Sequence, residues 1–178
     1  MKPLYAALIA AAAVTAVAVC LTACRKKPDT DPIDGGVRHY IDENAPKTIA
    51  STEIVSFQCK FSTLHMLREE SELAGNVYEL QATAEGGCYG LRVGEGGSFS
   101  PDADFFARLQ AIVADNDLAQ YNGIFHTVSG LPPDCGAELW VEYASGETIR
   151  SSDNQDCFLS VKAMTELKEL FCLACENS

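Results

Sequence analysis

Cys172-Leu173-Ala174-Cys175 is the first group of residues here with types and spacing that could do chemistry. Two thiols at this separation suit thiol–disulfide exchange, provided one of them is held as a thiolate. Reactive pairs of this kind sit at a helix N-terminus, where the dipole and unpaired amides favour the anion. The hydrophobic spacing here puts the pair at the end of a helix, beside Glu169 and Glu176, where the local field disfavours a thiolate. A thiol–disulfide oxidoreductase using Cys172 and Cys175 is therefore the alternative, and structural cysteines are the expectation.

Other chemistry is harder to assemble. His39, His65 and His126 are far apart in sequence, and none has a partner at ligand spacing, so no metal site is expected. Asp153-Asn154-Gln155-Asp156 has the composition of a cation loop but also that of a polar turn before a helix, and the turn is expected. No Gly-x-Ser-x-Gly elbow, His-Glu-x-x-His or Ser-x-x-Lys set occurs, and Gly94, Gly96 and Gly97 are not followed by Lys-Ser or Lys-Thr. No catalytic residue and no cofactor is assigned.

The remaining cysteines read as structure. Besides Cys172 and Cys175, the part of the chain beyond residue 50 holds Cys59, Cys88, Cys135 and Cys157. An even number in an exported domain implies disulfides. A hairpin centred near Ser145 would leave Cys135 and Cys157 just beyond its open end. A bridge there closes a loop of about 20 residues, worth about 3 kcal/mol. Cys59 shares parity with Val55, Phe57 and Phe61 and so faces the core, within reach of Cys172 or Cys175 on a packed helix. Cys88 has the opposite parity to Tyr89, Leu91 and Val93, which disfavours a Cys59–Cys88 bond if their strands pair directly.

Export itself is read from the N-terminus. Met1-Lys2 gives a short positive end, Leu4 to Leu21 is an apolar run rich in Ala and Val, and Leu21-Thr22-Ala23-Cys24 closes it. That ending resembles the lipobox of bacterial lipoproteins. The resemblance implies diacylglycerol on the Cys24 sulfur, cleavage before Cys24 and attachment to the outer face of the cytoplasmic membrane, or to an outer membrane where the cell has one. Cys20 fits the pattern less well, with branched Val19 before it. Arg25-Lys26-Lys27 would lie at the head groups, each contributing about 1 kcal/mol on an anionic surface. Acyl chains at ~0.8 kcal/mol per buried methylene would supply the rest.

Composition narrows the partners. The chain has 25 acidic and 13 basic residues, a net charge of −12, which becomes −13 once Lys2 leaves with the signal. Such a field repels nucleic acid, and no basic cluster follows residues 25–27 to overcome it. The partners expected are the membrane, through the N-terminal lipid, and a protein or small molecule of unknown identity.

The elements that must position these residues divide the chain into a signal peptide (1–23), a flexible Pro-, Asp- and Gly-rich tether (24–50) and one domain (51–178). Strands are predicted around Val55–Phe61, Tyr78–Ala82 and Tyr89–Val93, before a glycine-rich loop at Gly94–Gly97. Ser100 and Pro101 are placed to start a helix with the stripe Phe105, Phe106, Leu109, Ile112 and Val113, ended by Asn116-Asp117. A loop is predicted through Asn122-Gly123 and Gly130–Pro133. A hairpin then sets Val141 opposite Ile149, and a last helix covers about Ser160 to Cys175. The order β-β-β-α-β-β-α implies an α+β fold: an antiparallel sheet of about five strands with two helices on one face. Asn122-Gly123, Gly130-Leu131-Pro132-Pro133, Tyr143–Glu147 and Ser152-Asp153-Asn154 also resemble segments of uncharacterised lipoproteins and secreted proteins of Gram-positive anaerobes. That resemblance covers about the C-terminal third and implies no activity.

Overall fold

Strand β7 (Ala137–Tyr143) shows most directly how this sequence becomes a sheet. Ala137, Leu139, Val141 and Tyr143 are buried, while Glu138, Trp140 and Glu142 are exposed, the period-two pattern of a strand covered on one side. In the computed structural model, which describes residues 36–64, 66, 72–85, 88–92, 95–132 and 134–176, seven further strands extend this pattern in both directions. They are β1 (Val37–Ile41), β2 (Ile54–Ser62), β3 (Val77–Thr83), β4 (Cys88–Arg92), β5 (Glu95–Phe99), β6 (Ile124–Val128) and β8 (Thr148–Asp153). The sheet order is β1-β6-β8-β7-β2-β3-β4-β5. Neighbours are antiparallel except β6 and β8, which run parallel. The fold is α+β, as expected, but the sheet is mixed and has eight strands rather than about five. The expected signal peptide, Cys24 and the expected tether up to residue 35 lie outside the described residues.

Register aligns the apolar positions into rows that cross the sheet. Ala82, Phe57, Val141 and Ile149 form one row, and Leu80, Cys59, Leu139 and Ser151 the next. Val141 pairs with Ile149, as the hairpin reading requires. Helices α1 (Phe105–Asp115) and α2 (Val161–Glu176) cover these rows and pack against each other. An aromatic trio ties the layers together. Phe171 of α2 meets Phe105 of α1 edge-on at 5.3 Å and lies 5.9 Å from Phe57 of β2. All three rings are fully buried, each contributing about 2–3 kcal/mol of hydrophobic burial. Among the described residues no helix is long and apolar enough to cross a membrane.

The helix ends follow from local chemistry. Ser160 caps α2, its Oγ accepting the Ala163 amide at 3.1 Å. α1 begins at Phe105, not at Pro101, because Asp102 competes for the backbone. Its carboxylate accepts the Asp104 amide at 3.1 Å and holds Arg108 at 2.7 Å, which makes a turn of residues 102–104. At the other end the Asn116 side chain donates to the Ile112 carbonyl, and Asp117 takes a left-handed conformation, φ 49°.

Three segments depart from the sequence reading. Glu95, Gly96 and Gly97 of the expected glycine-rich loop belong instead to the edge strand β5. Gly97 is there for proximity: a Cβ at this position would stand 3.2 Å from the Cys175 Sγ of α2. The loop expected after α1 contains a 3-10 turn (Leu118–Tyr121) and strand β6. Part of the expected tether is the opposite edge strand, β1, paired with β6 along its whole length. The chain that follows β1 is also fastened to the domain, through the side chains of Asn122 and Glu147.

Candidate functional site

The cysteines do not assemble as expected. Cys59, Cys135, Cys157 and Cys175 are free thiols, so the Cys135–Cys157 clamp is not formed. The hairpin does end where expected, with Ala137 opposite Asp153. Past that point Cys157 turns toward the core and places its Sγ 3.5 Å from the Met164 Sδ. Burial, and then the neighbouring Cys157 and Glu138, push the Cys59 thiol well up; burial likewise raises Cys157. Cys175 sits over β5, its thiol donating to the Gly97 carbonyl at 3.6 Å. β5 lies three strands from β2, a lateral distance of about 14 Å, beyond the reach of a Cys59–Cys175 bond. Cys88 is described only by its backbone place in β4, opposite Phe99. Both Cys172 and Cys175 occupy the last turns of α2.

The motif residues Asn122-Gly123 and Tyr143–Glu147 act as staples. The buried Asn122 side chain donates to the carbonyls of Pro46 and Thr148, both at 2.9 Å, and accepts the Arg150 amide at 2.8 Å. Lys47 Nζ donates to its carbonyl. Gly123 has φ 80°, and a Cβ there would come within 2.5 Å of Ala45. Glu147 accepts the amides of Ala50 and Ser51, both at 3.0 Å, as well as the Ser145 hydroxyl. These bonds, led by the Ala50 amide, hold its carboxyl below the ordinary value. Residues 42–51 are thus bound to the hairpin end of the sheet.

Pairing of β1 with β6 also brings together two of the three histidines, which their sequence separation had not suggested. His39 and His126 are direct cross-strand partners with rings stacked at 3.9 Å and 18°. Asp153 of β8 pairs with His126 from the other side, its Oδ2 lying 3.1 Å from His126 Nδ1. Its Oδ1 accepts the amides of Gln155 and Asp156 at 2.8 and 2.9 Å, which is the polar turn expected from the sequence. Burial raises the Asp153 pKa, but these amides and the His126 ring outweigh it, and the carboxyl stays below its ordinary value. Asn154 closes the end of β6 by bonding the amide and the carbonyl of Val128. His126 Nε2 is buried and lacks a hydrogen-bond partner, a state that costs about 1–3 kcal/mol. His65 lies outside the described residues.

The face of the sheet turned away from the helices carries a different set of side chains. Register places Gln58 between Gln81 and Trp140, and Lys60 between Glu79 and Glu138. These six residues line a depression of about 400 Å³. Lys60 Nζ is 3.5 Å from Glu79 and 3.8 Å from Asp134. Trp140, the only tryptophan in the chain, is 44% exposed, with the Arg150 guanidinium 5.4 Å from its ring centroid. Arg150 also reaches Glu142 at 3.3 Å. Amides, an indole and charges of both signs share this face without a nucleophile–base pair among the described lining residues. The arrangement suits recognition: hydrogen bonding, stacking and cation–π contact.

Alternation in the sequence predicts that Trp140 and Glu142 point away from the core, but which residues of β2 and β3 join them is a matter of register. Among known proteins, the chain matches no family model, no curated protein and no solved structure.

Proposed function

We propose that this chain is a lipid-anchored extracytoplasmic lipoprotein whose domain is a non-enzymatic binding module, with the uncovered sheet face as its binding surface. The observation that carries the binding part is the exposed Trp140–Arg150 pair beside the depression lined by Gln58, Lys60, Gln81 and Glu138. A volume of about 400 Å³ is within the range of small-molecule sites, and the mixed charges around it fit a polar ligand or a protein segment with both signs. The anchor part rests on Leu21-Thr22-Ala23-Cys24 behind the apolar run. Cys24 would carry the lipid, and the domain would work on the outer face of the membrane.

Two measurements test the reading separately. Feeding cells a clickable fatty acid should label the wild-type chain and not Cys24→Ala; equal labelling of both would refute the anchor. Oxidative footprinting of Trp140 on whole cells, compared with detergent-released protein, should show protection on cells. Equal oxidation in both states would refute a bound partner on this face.

A further inference from the structure

We propose that His39 and His126 form a binding site for a late first-row divalent cation, of the class Ni²⁺, Cu²⁺ or Zn²⁺, with Asp153 as the positioning residue. The inference starts from the ring of His126. A carboxylate only accepts, so the 3.1 Å contact with Asp153 assigns the proton of His126 to Nδ1. In the neutral ring Nε2 then presents a lone pair, and it is this atom that is buried without a hydrogen-bond partner. An imidazole oriented by a carboxylate through one nitrogen and unpartnered at the other has the arrangement of a metal ligand. Asp153 is itself held in place, its second oxygen bound by two backbone amides.

His39 supplies the second nitrogen. Cross-strand pairing puts its ring 3.9 Å from that of His126, and its exposed position on an edge strand lets it turn. Two nitrogens at about 2.0–2.1 Å from one ion require only that the stacked rings tilt toward a common point. Imidazole donors select nickel, copper and zinc over calcium or magnesium, which take oxygen ligands. The described residues offer no group of three or more such donors, so water completes the coordination, and the affinity expected is micromolar rather than that of a closed structural site.

The test is calorimetric titration of the full chain, without an affinity tag, with Ni²⁺ at neutral pH. One equivalent should bind, and both His39→Ala and His126→Ala should weaken binding at least about tenfold. His65→Ala, at the third histidine, should leave it unchanged. His39→Ala is the decisive variant, because this exposed side chain can be removed without opening the core; metal-free thermal unfolding checks that it folds. No wild-type binding up to millimolar Ni²⁺, undiminished binding by His39→Ala, or an equal loss on His65→Ala would each overturn the proposal.

Discussion

The two faces of the sheet are built from the same strands with opposite results. On the covered side, Phe57, Leu139, Val141 and Ile149 are completely buried beneath α1 and α2. On the other side, their immediate chain neighbours Gln58, Trp140 and Arg150 meet solvent and one another. The covered face derives its energy from displacing water and tolerates few changes. The open face contributes little to stability, so its composition is available for recognition. Under the proposed function, stability and binding thus fall to alternate residues of the same strands.

Substitutions should separate the two faces in proportion. The largest effect is expected from Phe57→Ala, which removes one ring of the aromatic trio and leaves a cavity; urea denaturation should show a loss of about 3–5 kcal/mol. Asn122→Ala comes next. It leaves the carbonyls of Pro46 and Thr148 and the amide of Arg150 without their partner, at a cost of about 2–3 kcal/mol. Hydrogen exchange should then accelerate in residues 42–51 before it does in β2 or β7.

A smaller, pH-dependent effect is expected at Glu147. Its folded pKa lies below the ordinary value of 4.5, so its contribution is fully present above that pH and is lost as pH falls through the folded value. Wild type should exceed Glu147→Gln in stability at neutral pH, and the two curves should converge on acidification; a constant gap would contradict the assignment. Trp140→Ala should change stability least, within about 0.5 kcal/mol by urea denaturation. A large loss of stability there would mean that the open face is not free of the core.

The regions differ equally in how openly their sequences speak. β2, β3, β7 and β8 lie at the centre of the sheet, and the apolar alternation of β2, β3 and β7 made them readable in advance, down to the pairing of Val141 with Ile149. β1 reads as tether because four of its five residues are exposed, which erases the period-two signal. In β6 the intermediate burial of Ile124, Phe125 and His126 has the same effect. The glycines of β5 read as a loop, although Gly97 is there to admit a helix. On the site, the sequence located Trp140 on the outer face but had no means of pairing it with Gln58, nor His39 with His126.

Cysteine chemistry shows the same division. Parity predicts correctly that Cys59 faces the core, where burial holds its thiol neutral. Its distance from Cys175 depends on β3, β4 and β5 being laid down between them, and no local pattern encodes that order.

By itself, then, the sequence determined what one-sided burial imposes locally: strands β2, β3 and β7, the hairpin register, the stripe of α1 and the approximate span of α2. Only the tertiary structure decided the parallel contact of β6 with β8, the return of residues 42–51 to the sheet and the meeting of His39, His126 and Asp153. Burial on one side repeats with a strand's own period and is therefore written into each segment. Adjacency between segments comes from the closing of long loops, and side-chain order along the chain carries almost no record of it.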